Sequence, residues 1–221
     1  MNRHVQAALV TLGILVMVFA VVSWMDSSRI STLNSGIESL SVQSETNRIL
    51  FFYNQVFTPS EDTAFCDVLD KSATLRSDEG DLFFSKLVAY ENANLLGNYN
   101  TLRQKYLLNR IELWLYTTLL TKQCKTNIVP ILFFYRNKPA CPQCDVQGQI
   151  LESLREKCPN VKIFALSVDE GIDLVPLIEA QYGVHSVPSV VVNKKVFESL
   201  SSEEILRQEV ACSDQLLVQK N

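Results

Sequence analysis

The sequence predicts an α/β domain that follows an N-terminal transmembrane helix and an all-helical region. Three observations carry that expectation. The chain opens with an uncharged apolar run. Six of its seven prolines lie at or after Pro130, leaving only Pro59 before it. Near residue 127 the hydrophobic rhythm changes, from long helical stripes to short apolar runs that alternate with amphipathic ones. The expected division is 1–26 as a signal anchor, 27–127 as a helical region and 128–221 as the α/β domain.

The opening segment, Val5 to Met25, holds 21 residues without a formal charge, eleven of them Val, Leu, Ile or Phe. At ~0.3–0.6 kcal/mol each near a bilayer centre, these favour insertion by roughly 3–6 kcal/mol before polar residues subtract. The length matches ~30 Å of hydrocarbon. A cleaved signal peptide is the competing reading, since "VFA" at 18–20 offers small residues at the right interval. The apolar run continues to Trp24, which favours an uncleaved anchor. Arg3 and His4 precede it, so either reading places the N-terminus in the cytoplasm and the rest of the chain outside the cell membrane.

In the helical region, "TLRQKYLLNRIELWLYTTLLTKQC" sets Leu107, Ile111, Trp114, Leu115 and Leu119 at three- and four-residue steps, an amphipathic stripe. "SEDTAFCDVLDKSATL" opens with Ser60 as N-cap and acids in the first turn. "GIESLSVQSETNRILFFYNQVF" is read as a third helix. After residue 127, "IVPILFFY" (128–135) is a buried-type strand. Pro142 to Lys157 is a helix with proline at its first position, where a missing N–H costs nothing. "VKIFALSV" (161–168) is a second strand. "DLVPLIEAQYG" is a helix with Pro176 tolerated in its first turn and Gly183 at its end. "SVVVN" and "KVFES" flank Asn193-Lys194 as a hairpin. The last helix starts from a capping box, Ser201 to Glu204.

Charge excludes one class of function. The net charge is −4, spread over both regions without a basic face, so nucleic acid is not an expected partner.

The chemistry is carried by "RNKPACPQCDVQG" (136–148). Cys141 and Cys144 stand two residues apart at the junction of the first strand and first helix of the α/β part. Read locally, the pair fits a redox couple, half a zinc site or a plain disulfide. Zinc needs two more ligands at paired spacing. Cys66, Cys124, Cys158 and Cys212 form no second CxxC, and the chain has only two histidines.

A second signature lies downstream in "YGVHSVPS" (182–189). With CxxC between a strand and a helix, and a Val-Pro strand start 47 residues beyond Cys141, residues 128–218 resemble the thioredoxin superfamily. The resemblance implies a central mixed sheet flanked by helices. It implies a thiol–disulfide oxidoreductase with Cys141 as attacking thiol and Cys144 as resolving thiol. It also implies a cis bond at Val187–Pro188, with substrate bound along that backbone, and no cofactor or metal. The expected partners are cysteine-containing protein substrates and a membrane redox partner. Cys141, as N-cap of the helix opened by Pro142, lies at the positive end of the helix dipole, which lowers a thiol pKa. Arg136 and Lys138 add to that effect and Asp145 opposes it. Ala140 and Pro142-Gln143 stand where thioredoxins carry Trp and Gly-Pro, and "IVPILFFY" lacks the acid thioredoxins bury there. These departures put thioredoxin-style reduction in doubt, and exported compartments are generally oxidising, so oxidase or isomerase is favoured over reductase. His185, three residues before Pro188, is read as an exposed loop histidine near the rim.

In a thioredoxin-like fold the helix after the active site ends far from the CxxC, and the last helix runs back down the same face. The resemblance therefore implies a structural Cys158–Cys212 disulfide, leaving Cys66 and Cys124 to pair with each other. A rival reading makes Cys66–Cys124 a second redox couple feeding Cys141–Cys144. The alternative for the whole protein is a redox-silent, thioredoxin-like interaction protein whose helical region binds a membrane partner.

Overall fold

The computed structural model describes residues 11–24, 63–92, 99–124, 126–210 and 212. The chain divides into two compact units, 1–52 and 53–221. In the first, residues 11–24 form a helix, α1. The described stretch accounts for about 21 Å of helix. No helix among the described residues is long and apolar enough to cross a membrane. The expected single-pass anchor over 1–26 is thereby corrected, and with it the cell-membrane localisation with an extracytoplasmic C-terminal domain. The Ser60 cap and the helix read in "GIESLSVQSETNRILFFYNQVF" lie outside the described residues.

The second unit runs α2 (Thr63–Asn92), α3 (Tyr99–Gln123), β1 (Val129–Tyr135), α4 (Pro142–Lys157), β2 (Val161–Ser167), α5 (Leu174–Tyr182), β3 (Ser189–Val192), β4 (Lys195–Glu198) and α6 (Glu203–Glu209). The four strands form one mixed sheet in the order β2-β1-β3-β4. β1 pairs parallel with β2, Val129 opposite Val161, and antiparallel with β3, Ile131 opposite Val192. β3 and β4 form an antiparallel hairpin. Asn193 and Lys194, the two turn residues, have φ of 49° and 71°, as a two-residue hairpin connection requires. Glycine meets the second of those values without strain; Lys194 does not.

Strand alternation sorts the core into two layers. Ile131, Phe133, Val190 and Val192 belong to a cluster with Leu151 and Leu154 of α4 and Leu206 of α6. Leu132, Phe134, Phe164 and Val191 are equally buried but point to the opposite face. There Arg110 of α3 lies over the Phe164 ring, 5.5 Å from its centroid, and donates to the Ile163 carbonyl at 3.2 Å. Trp114 of α3 meets Tyr182 of α5 edge-on at 6.3 Å. The sheet is therefore covered by α4 and α6 on one side and by α3 and α5 on the other.

α2 packs along α3 through a buried polar cluster that apolar periodicity does not announce. Arg76, 1% exposed, pairs with Glu79 and, at 2.6 Å, with Glu112 Oε1. Asn109 Nδ2 donates to the Arg76 carbonyl and to Glu79 Oε2, both at 3.1 Å. A Cβ on Gly80 would come within 2.6 Å of Asn109 Oδ1, so glycine permits that approach. Burial, with Glu112 next in weight, pushes the Tyr116 phenol well above its ordinary pKa. Buried charges are costly unless paired in good geometry, and here the pairing links α2 to α3 through Arg76 and Glu112. The Cys66–Cys124 disulfide closes the open end of the same hairpin, from the start of α2 to the end of α3.

The last helix differs from its sequence reading in two ways. Its N-cap is Ser202, whose hydroxyl accepts from Ile205 N, one residue later than expected. It ends at Glu209 with Val210 as C-cap, so Cys212 lies beyond the helix, disulfide-bonded to Cys158.

Candidate active site

The chain leaves β1 at Tyr135, crosses six residues and enters α4 at Pro142. Cys141 is the N-cap of α4, and its sulfur accepts from Cys144 N at 3.2 Å. The two cysteines form a disulfide with Cα atoms 5.3 Å apart. Both are largely buried, Cys141 at 9% exposure and Cys144 at 4%, so Cys141 is the more accessible sulfur-bearing residue. Cys144 Sγ accepts a long bond, 3.5 Å, from Arg136 N. Each sulfur thus has one backbone donor, positioned to hold negative charge when the bond opens.

The loop between β1 and α4 is braced by residues that sequence reading did not single out. Asp169, just after β2, accepts from Arg136 Nε at 3.0 Å and from Asn137 N at 2.8 Å. The Asn137 amide donates to Ser167 Oγ at 2.9 Å and Glu170 Oε1 at 2.8 Å. Glu170 in turn pairs with Arg103 of α3, and Gln104 donates to its carbonyl at 2.8 Å. The helical hairpin is thereby tied to the dithiol loop through one acidic corner. Only the parallel pairing of β1 with β2 brings this corner to Arg136, so no local pattern in 136–148 announces it.

The charges expected to tune Cys141 are partly cancelled. Lys138 Nζ is 3.1 Å from Asp145 Oδ2, and Arg136 is paired with Asp169. What remains beside the sulfurs is the backbone N–H field of the helix start, with Asp145 in the first turn paired to Lys138. The peptide bonds Lys138–Pro139 and Val187–Pro188 are both cis. Val187 packs against the core cluster that contains Cys141 and Cys144, and Pro188 is buried at the start of β3. His185 is exposed; its backbone N donates to Glu198 Oε1 at 3.0 Å.

One turn beyond Cys144, Gln147 is fully buried and accepts from Ser201 N at 2.7 Å. It anchors the segment leading into α6 to α4. Its Nε2 finds no acceptor among the described residues. On the far part of α4, Cys158 is completely buried and joined to Cys212, while Cys66 and Cys124 are joined on the helical hairpin. No cluster of three or more His, Cys, Asp or Glu side chains suited to a metal ion occurs among the described residues. No protein-family model matches the chain, and no curated protein matches it.

Proposed function

We propose that this protein is a thiol–disulfide oxidoreductase of thioredoxin-like build, acting on protein cysteines through Cys141 and Cys144. One observation carries the proposal: a CxxC disulfide sits at the start of a 16-residue helix with a backbone N–H aimed at each sulfur. Supporting it are the strand that delivers the motif, the adjoining antiparallel hairpin and Val187 just before that hairpin, which shares the motif's core.

The oxidising half-cycle balances without a cofactor. A substrate thiolate attacks Sγ of Cys141, the more exposed of the two cysteines. The Cys141–Cys144 bond breaks and Cys144 leaves as a thiolate facing Arg136 N. A second substrate thiolate attacks the substrate sulfur of the mixed disulfide and expels Cys141 as a thiolate at the helix start. The substrate loses two electrons and two protons, and the protein's disulfide becomes a dithiol. Donors that favour both thiolates favour the reduced protein, and a stabilised reduced form makes the disulfide a stronger oxidant. Oxidase or isomerase activity is therefore the favoured direction.

The test is oxidative refolding of a reduced multi-disulfide protein in a glutathione buffer, run beside insulin reduction. The expected result is faster disulfide formation in the refolding assay, abolished by Cys141→Ser. Activity in insulin reduction alone would reverse the direction. Inactivity in both assays, with Cys141 and Cys144 fully reducible, would leave the redox-silent interaction protein as the reading.

A further inference from the structure

On the face of the sheet away from α4, two adjoining cavities that share Trp114, Tyr182 and Lys122 together form a trough between α3 and α5. Its larger part, about 480 Å³, is floored by Leu132 and Val191 and walled by Trp114 and Tyr182. It ends at Lys122 of α3 and Lys194 of the hairpin turn. A smaller part, about 170 Å³, shares Trp114, Tyr182 and Lys122 and continues to Ile111, Leu115 and Leu177. Ile111 to Lys122 is eleven helical steps, so the trough is roughly 16 Å long. It is distinct from the dithiol site. Pro130 and Lys194 lie at the opposite end of β1 and β3 from Cys141, which is roughly 17 Å of strand away.

The trough has a direction. At one end Leu115 and Leu177 are 44% and 63% exposed. At the other end are two ammonium groups, and neither Lys122 nor Lys194 makes an ion pair among the described residues. No carboxylate contributes to the wall of either part. Lys194 also occupies the turn position where glycine is unstrained, with φ of 71°. A strained residue whose side chain lines a cavity is a pointer to function.

Size decides between occupants. A helix of ~15 Å length and ~10 Å diameter fills more than about 1,000 Å³, far beyond this space. A single extended chain fits, and the larger part alone is within the ~300–1,000 Å³ of small-molecule sites. We infer that this trough binds a free single-chain amphiphile with an anionic head: an alkyl carboxylate whose head pairs with Lys122 and Lys194 and whose tail lies over Trp114 towards Leu177.

The experiment is a fluorescence titration of the full chain carrying Trp24→Phe, which leaves Trp114 as its one tryptophan. The probe is laurate, kept below its micelle concentration. The expected result is a saturable change in Trp114 emission at one laurate per chain. Affinity should fall about tenfold for each of Lys122→Ala and Lys194→Ala, and less so in high salt. Leu177→Asp, at an exposed position, should weaken binding without loss of helix content. No saturable change would overturn the inference. Dodecanol binding as tightly as laurate, or equal affinity in the double lysine variant, would overturn the anionic head. An Asp- and Glu-rich peptide that saturates the signal where laurate does not would assign the trough to a protein partner instead.

Discussion

At the residue scale the account rests on an asymmetry between two cysteines three positions apart. Cys141 caps the helix and keeps some access to solvent, while Cys144 lies inside the first turn under the Arg136 backbone. A thiol at a helix start ionises more readily than one in an apolar interior. In the reduced protein, iodoacetamide at mildly acidic pH should therefore modify Cys141 first and leave Cys144 protected, as peptide mass mapping would read. Cys144→Ser should trap mixed disulfides with substrate proteins, because the group that would resolve them is gone. Preferential labelling of Cys144 would reverse the two roles.

At the element scale one carboxylate bridges α4 and α6. Glu203 accepts from Lys157 Nζ at 2.6 Å and 2.9 Å and from Ser153 Oγ at 2.8 Å. The Lys157 hydrogen bond, then that from Ser153, hold its pKa below the ordinary 4.5. For an acid depressed on folding, the contribution to stability is complete above the unfolded pKa and lost as pH falls through the folded one. Glu203→Gln should therefore lower the urea midpoint at pH 7. The gap to the unsubstituted protein should close as pH falls below about 4.5, where the carboxylate itself is protonated. Lys157 is exposed and Glu203 partly so, so the effect is small, of the order of 1 kcal/mol or less. A gap that persists unchanged at pH 3 would mean that Glu203 acts by packing and not by charge.

At the scale of the whole molecule, much of the 128–210 segment was legible. Its strands are short apolar runs, its helices carry proline at the start or glycine at the end, and its motif stands at a strand–helix junction. These are local signals. What was not legible depends on contacts distant in sequence: Asp169 and Glu170 bracing the dithiol loop, Arg76 buried against Glu79 and Glu112, and Gln147 holding Ser201. Arg76 in particular reads as a surface charge, since only its partners make burial tolerable. The opening segment shows the opposite failure. Composition and length in 5–25 suggest a membrane span, yet no helix among the described residues is long and apolar enough to cross a membrane.

The Cys66–Cys124 bond also acts at this scale. It closes a loop of 58 residues, for which the chain-entropy account gives about 4 kcal/mol. Replacing both cysteines with serine should lower thermal stability by up to that amount, yet leave dithiol turnover unchanged at temperatures where the variant stays folded. Turnover lost in a folded variant would favour the rival reading of a second redox couple.

The central claim is that the Cys141–Cys144 disulfide is a working redox couple and not a staple. The direct measurement is its reduction potential, by equilibrating the protein in glutathione buffers and quantifying the Cys141- and Cys144-containing peptides. With a backbone donor at each sulfur favouring the dithiolate, the account predicts a potential more oxidising than about −230 mV, in the range of dithiol oxidases and isomerases. A value near −270 mV would keep the couple but turn it into a reductant. A disulfide that resists reduction to below about −300 mV, as structural bonds do, would contradict the account.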